Sequence, residues 1–140
     1  MSLPPFITLE IVTPDRAIVY EQVDEVQIPG TEGYLGVLPG HTPLLTSLRV
    51  GQIWYRKGQE KFYLSVAFGF AEVLPDHVRI LADIAERAEE IDLTRAEAEK
   101  KRAEDQLSRP TMNVDLERAR ISLMKALIRI QVATRARTRG

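Results

Sequence analysis

The chain has 140 residues, enough for one ordinary domain or for a small domain with an appendage. With 44% hydrophobic and 28% charged residues it is too apolar to be disordered, and the absence of cysteine excludes disulfides, thiolate metal sites and cysteine nucleophiles. The net charge of −1 hides a gradient: residues 1–82 carry nine acids and six bases, residues 83–107 nine acids and five bases, and residues 113–140 two acids against seven bases. No run of about eighteen apolar residues occurs, so no membrane insertion is expected. Met1 to Phe6 lacks the basic and apolar regions of a secretory signal, and a cytoplasmic protein is expected.

The first eighty or so residues read as strands. Ile7, Leu9 and Ile11 alternate with Thr8, Glu10 and Val12, the period of a half-buried strand. Pro14-Asp15 punctuates the chain. Val23–Ile28 forms a second candidate strand, stopped by Pro29-Gly30. Between residues 30 and 51, five glycines together with Pro39 and Pro43 predict a rigid, shaped loop in which glycine supplies positive φ and proline fixes φ near −65°. Gln52–Arg56 and Lys61–Ala67 flank Lys57-Gly58-Gln59-Glu60 as a hairpin. Phe70–Leu74 and Val78–Ala82 flank Pro75-Asp76-His77, which favours a tight turn. Short strands with regular turn signals indicate an antiparallel sandwich or barrel. Its expected core holds Ile11, Ile28, Leu38, Leu48, Ile53, Leu64, Val66, Val73 and Ile80.

After Asp83 the pattern becomes helical. Leu93, Ala96, Ala103 and Leu107 share one helix face, with Asp92 as the N-cap. Ser108-Arg109-Pro110 breaks this helix, because proline disfavours helical geometry in the residue before it. Asn113 is expected to cap the next helix, whose packing stripe is Leu116, Leu123, Leu127 and Ile130, widened by Ile121, Met124, Ile128 and Val132. So short a connection makes the two helices antiparallel. The fold class is therefore α+β by segment: an N-terminal antiparallel β-sandwich or barrel over residues 1–88, then an antiparallel two-helix hairpin over 89–140. Two such helices bury little by themselves, so the hairpin must borrow stability from the sandwich, a ligand or another protein.

The run Pro29-Gly30-Thr31-Glu32-Gly33-Tyr34-Leu35-Gly36-Val37-Leu38-Pro39-Gly40-His41-Thr42-Pro43-Leu44-Leu45-Thr46-Ser47-Leu48 resembles the signature of the epsilon subunit of F-type ATP synthase. Leu9–Pro14 and Phe68-Gly69-Phe70-Ala71-Glu72-Val73 fit the same family, and Ile91-Asp92-Leu93-Thr94-Arg95-Ala96 is similar to the motif with which many bacterial members bind ATP. Mitochondrial delta subunits share the fold.

The resemblance implies a non-catalytic part of the central stalk that couples proton-driven rotation to ATP synthesis. Its sandwich would dock on the gamma subunit and the membrane rotor ring of c subunits. Its mobile hairpin would lie on the sandwich or extend into the alpha/beta head and inhibit ATP hydrolysis. A peripheral place on the cytoplasmic face of the cell inner membrane follows. Glu32, Gly33, Gly36, Pro39, Gly40 and His41 would form the rotor-ring and gamma contact loop. Arg118, Arg120, Lys125 and Arg129 would meet an acidic loop of the beta subunit; exposed pairs are each worth about 0–1 kcal/mol, so several must act together.

No cofactor is required, but ATP is expected as a regulatory ligand at Glu86, Ile91, Asp92, Arg95, Ala96, Arg102 and Arg129, with Lys125 standing where some ATP-binding members have arginine. Arg95 and Arg102 project from one face, and the guanidinium fork suits phosphate oxygens. The same residues also read as a helix cap with surface ion pairs, Glu99 pairing among its Lys100–Arg102 neighbours.

Two other functions compete. A nucleic-acid-binding module would use the basic second helix, but only that helix is basic and no aromatic residue follows Phe70. An ATP-sensing enzyme would need groups that are missing: there is no phosphate-cradling Gly-x-x-x-x-Gly-Lys-Ser/Thr loop and no metal-spaced carboxylate set. His41 and His77 are too isolated to form a metal site.

Overall fold

A computed structural model describes residues 3–109, 111 and 113–138. Eight strands come first: β1 (Ile7–Val12), β2 (Ala17–Val23), β3 (Glu25–Gly30), β4 (Gly33–Val37), β5 (Leu44–Leu48), β6 (Gly51–Lys57), β7 (Glu60–Leu74) and β8 (His77–Arg87). A short 3-10 turn, Ala88–Glu90, leads into α1 (Leu93–Ser108) and α2 (Leu116–Thr138). The strands run β2-β1-β8-β7-β5-β3-β4, with β6 joining β3 to β7. Only β1 and β8 pair in parallel among these ladders.

The sandwich arises because three neighbouring strands turn one corner together. β5 and β6 both pair with β7, at Leu48↔Gly69 and Gly51↔Val66, so Arg49-Val50 is a bend in what is otherwise one strand. Opposite it, Phe68 and Gly69 take φ of 63° and 124°. Two successive left-handed residues reverse which side of the ribbon faces inward. Before the corner Leu64 and Val66 are buried in the core; after it Ala71 and Val73 are. β8 switches likewise, from Ala85 to Ala82, Ile80 and Val78. Gly69 is required there, since a Cβ would lie 2.1 Å from the Leu81 carbonyl oxygen.

Eight of the nine expected core residues are buried. Leu38 is 55% exposed instead: Val37 is the last inward residue of β4, and alternation carries Leu38 outward into the following loop. The second expected strand, Val23–Ile28, is divided at Asp24, whose N–H donates to the Arg56 carbonyl and whose carboxylate accepts from Gly58 N–H at 2.7 Å. Nor does Pro29-Gly30 stop β3, because the Pro29 carbonyl still accepts from Arg49 N–H. The shaped loop is itself largely sheet, as β4 and β5. The Gly58-Gln59 and Pro75-Asp76 turns lie where expected.

One edge of the sandwich is closed by a polar knot. Tyr55 Oη donates to Glu21 at 2.8 Å, Lys57 donates to the other Glu21 oxygen at 2.9 Å, and Arg87 donates to Tyr55 and to the Ile18 carbonyl. The Lys57 hydrogen bond, helped by Tyr55, holds the Glu21 carboxyl below its ordinary range, while burial and the Glu21 contact push Tyr55 up to about 12.

The helices pack on alanine. Ala96 and Ala103 of α1 and Ala119, Ala126 and Ala133 of α2 are buried, whereas Leu116, Met124 and Leu127 are between 37% and 44% exposed. Of the expected stripe, Leu116 and Leu127 are thus exposed and Leu123 and Ile130 half-buried, while the widening residues Ile128 and Val132 do pack, in a buried cluster. Because the fully buried residues of α1 are alanines, the seam there is shallow, and Leu116, Met124 and Leu127 turn outward. Asp115, not Asn113, caps α2, accepting from Arg118 N–H at 3.1 Å. Asp92 caps α1 as expected, accepting from Arg95 N–H. No helix among the described residues is long and apolar enough to cross a membrane.

Two outcomes test the fold. Gly69→Ala should cost more than about 2 kcal/mol in urea unfolding, because both the left-handed backbone and the Leu81 clash oppose it. The depressed Glu21 carboxyl contributes stability that is present above about pH 4.3 and lost as pH falls through its folded value, whereas the raised Tyr55 contributes below about pH 10 and is lost toward 12. Glu21→Gln should therefore flatten the acid limb of a stability–pH profile and leave a shallower fall between pH 7 and 3.

Candidate functional site

The hairpin sits on the outer face of the first half of β7 and its neighbours, over a small apolar cluster distinct from the sandwich core. Ala88, Ile91, Val132 and Ala133 are its buried members, with Tyr63, Leu93 and Ile128 packed around them. Lys125 lies 5.9 Å from the centre of the Phe68 ring and Arg135 lies 5.7 Å from that of Tyr63, each placing a cation over an aromatic face of β7.

A chain of charges runs beside this cluster. Arg129, only 17% exposed, donates to both oxygens of Glu86 on β8, at 2.7 and 3.3 Å. Its remaining Nη1 reaches Glu99 on α1 at 3.4 Å, and the same Glu99 oxygen accepts from Arg95 at 3.1 Å. Sandwich, α2 and α1 are thereby joined through one guanidinium. Glu86, Arg95, Glu99, Lys125 and Arg129 line a cleft of about 420 Å³ floored by Ser65 and Ala67. A second cleft of about 600 Å³ continues between the helices toward Asn113, bordered by Arg102 and Arg118.

The residues expected to hold ATP are thus partly gathered. Glu86, Arg95 and Arg129 meet in one cleft and Arg102 borders the next, but Ala96 is buried among the helices and Ile91 in the small cluster. Glu99 pairs with Arg95 and Arg129 rather than with residues of Lys100–Arg102. Its link to Arg95 was legible as an i,i+4 pair; its link to Arg129 depends on how the helices dock. Among the described residues no group of three or more acids and histidines is placed to hold a metal ion.

The basic residues of α2 do not form one surface. Lys125 and Arg129 face the sandwich, Arg118 borders the inter-helix cleft, and Arg120 pairs with Glu117 at 3.5 Å. The glycine-rich segment is also divided. Glu32 and Gly33 lie at the β3–β4 turn, where Thr31 meets Ser47, whereas Pro39, Gly40 and His41 lie beyond the far end of β4, where Gly40 N–H donates to the Pro75 carbonyl at 2.7 Å. Gly36 lies in β4 between them. Of the five glycines, Gly33 and Gly40 take positive φ.

The model of the ATP synthase delta/epsilon chain β-sandwich domain matches residues 6–88, and that of the long alpha-helix domain matches residues 89–134. The chain belongs to the ATP synthase delta/epsilon family. It is 50% identical over 131 residues to the ATP synthase epsilon chain of Solibacter usitatus (strain Ellin6076), covering 94% of this chain and 98% of that one. It is 58% identical over 98 residues to that of Koribacter versatilis (strain Ellin345), covering 70% and 69%. A chain in the cryo-EM structure of Euglena gracilis mitochondrial ATP synthase, OSCP/F1/c-ring in rotational state 1, superposes with a TM-score of 0.81 at 26% identity, over 99% of this chain and 84% of that one. Like its homologues, the chain is an epsilon subunit of the central stalk and not the catalytic subunit of the synthase.

In this epsilon-family fold Arg129 is the tie between the two segments. Arg129→Met would leave Glu86 and Glu99 half-buried without their shared cation, costing about 1–3 kcal/mol of hairpin docking. Limited proteolysis should then release residues 89–138 sooner while the sandwich stays resistant.

Proposed function

We propose that this subunit couples proton-driven rotation to ATP synthesis as an adaptor between gamma and the rotor ring, and that its hairpin leaves the sandwich to inhibit ATP hydrolysis. The observation that carries the inhibitory reading is the separateness of the hairpin's seat. The hairpin rests on a few apolar side chains and one ion-pair chain, outside the sandwich core, so it can detach without unfolding that core. Leu116, Met124 and Leu127 stay exposed on α2, a stripe for a second set of contacts. Lys125 and Arg129 are engaged with Phe68, Glu86 and Glu99, and they would exchange those partners for an acidic loop of the beta subunit on extension.

ATP is the regulatory ligand in this reading. It would bind at the cleft bearing Glu86, Arg95 and Arg129, with Arg102 bordering the adjoining cleft, and favour the docked hairpin; Arg95 and Arg129 would pair with phosphate oxygens. Docking on gamma is supported by the outer face beyond the corner. There Phe70 and Leu81 are cross-strand neighbours, 58% and 49% exposed, and Leu45 on β5 is 72% exposed. The Glu32 turn and the Pro39–His41 loop would share contacts with gamma and the c subunits from opposite ends of β4. The whole assembly lies on the cytoplasmic face of the inner membrane.

Hydrolysis by the gamma-containing head should fall several-fold with the full chain and recover with a chain ending at Ala88 that still binds. Equal inhibition by both would remove the hairpin from the mechanism. Phe70→Glu together with Leu81→Glu should abolish co-elution with the gamma-containing head while leaving the circular dichroism of the free subunit unchanged.

A further inference from the structure

The ion-pair chain has an internal balance. Two guanidiniums, Arg95 and Arg129, face two carboxylates, Glu86 and Glu99, and the Glu99 oxygen that Arg95 contacts is the one Arg129 contacts. That oxygen stands between the two cations, in the position a phosphate oxygen would need in order to bridge them. Among the described residues lining the cleft, Lys125 is the one positive charge beyond this balance. The cleft therefore does not need an anion from solution to be stable with the hairpin docked. Glu99 is also carried one turn from Arg95 on the same helix, so its carboxylate is present at a high effective concentration and loses little freedom on pairing.

We propose that Glu99 is an internal counter-anion: it occupies the Arg95–Arg129 pair in place of a phosphate, ties α1 to α2, and so latches Arg129 in the position from which it grips Glu86 on the sandwich, without nucleotide. An incoming polyphosphate must displace it, which weakens the response of docking to that ligand. The latch stands on the contacts alone, while the competition rests on the nucleotide reading above. Glu86 differs in kind. It belongs to the sandwich and grips Arg129 with both oxygens, so it remains the anchor whichever anion holds Arg95.

The test uses the full chain as Glu99→Gln, with Glu97→Gln as a control that removes the same charge from an exposed position on the same helix. Amide hydrogen exchange in the nucleotide-free chain should quicken at least about threefold along α2 for Glu99→Gln alone, with β6–β8 unchanged. Titration calorimetry with ATP should show about tenfold tighter binding for that variant. Exchange along α2 equal to that of the parent and of the control overturns the latch, even where ATP binds. ATP that binds parent and Glu99→Gln equally overturns the competition. Faster exchange with no ATP binding by either protein supports the latch and removes the nucleotide reading, so the two failures are told apart.

Discussion

The corner at Phe68-Gly69 is the constraint from which the rest of the molecule follows. A ribbon that bends there, with β5–β6 bending at Arg49-Val50, folds over itself into two layers and exchanges its inner and outer sides. Before the corner the outward residues of β7 are Tyr63, Ser65 and Ala67, which are small or aromatic and form a seat for helices. After it they are Phe70, Glu72 and Leu74, which are exposed and covered by no element among the described residues. One strand thus supplies both the seat of the hairpin and the free apolar face. The cost is held locally, in an aromatic residue with positive φ and a glycine for which alanine is no substitute.

The hairpin is attached by means suited to reversible docking. Its helices meet through alanine, which brings them close but buries little surface for each residue. Its contact with the sandwich combines a few apolar side chains with two cation–aromatic contacts and the Arg129 ion pairs. Half-buried charges of this kind specify one geometry better than they stabilise it, because desolvation offsets much of their attraction. The linker is fixed more firmly. Glu90 accepts from Arg87 N–H and pairs with Arg16 at 2.9 Å; burial alone would raise its carboxyl, yet these contacts hold it below the ordinary range. A hairpin that departs would therefore pivot beyond Glu90, near Ile91 and Asp92.

Much of this was legible in the residues themselves. Alternation gave β1, turn chemistry gave the β6–β7 and β7–β8 connections, and Asp92 announced the start of α1. Reading went wrong where a local pattern had two solutions. Leu116, Leu123, Leu127 and Ile130 form a plausible stripe by spacing, but a helix apolar on several sides does not declare which side its partner will take, and the alanines of α1 decided it. The glycine- and proline-rich stretch read as a loop because propensity disfavours strands there, whereas pairing with β3 and β7 makes strands of β4 and β5.

By itself, the sequence determined the order of a strand-rich segment followed by two helices, the charge gradient, and the family, because spacing, turn residues and a long specific motif are local properties of the chain. Only the tertiary structure decided that Glu86, Glu99, Arg95 and Arg129 form one network, that the basic residues of α2 are divided among different partners, and that Glu32 and His41 lie at opposite ends of a strand. These depend on which faces meet across 30 or 43 residues of chain, and packing between distant segments sets that.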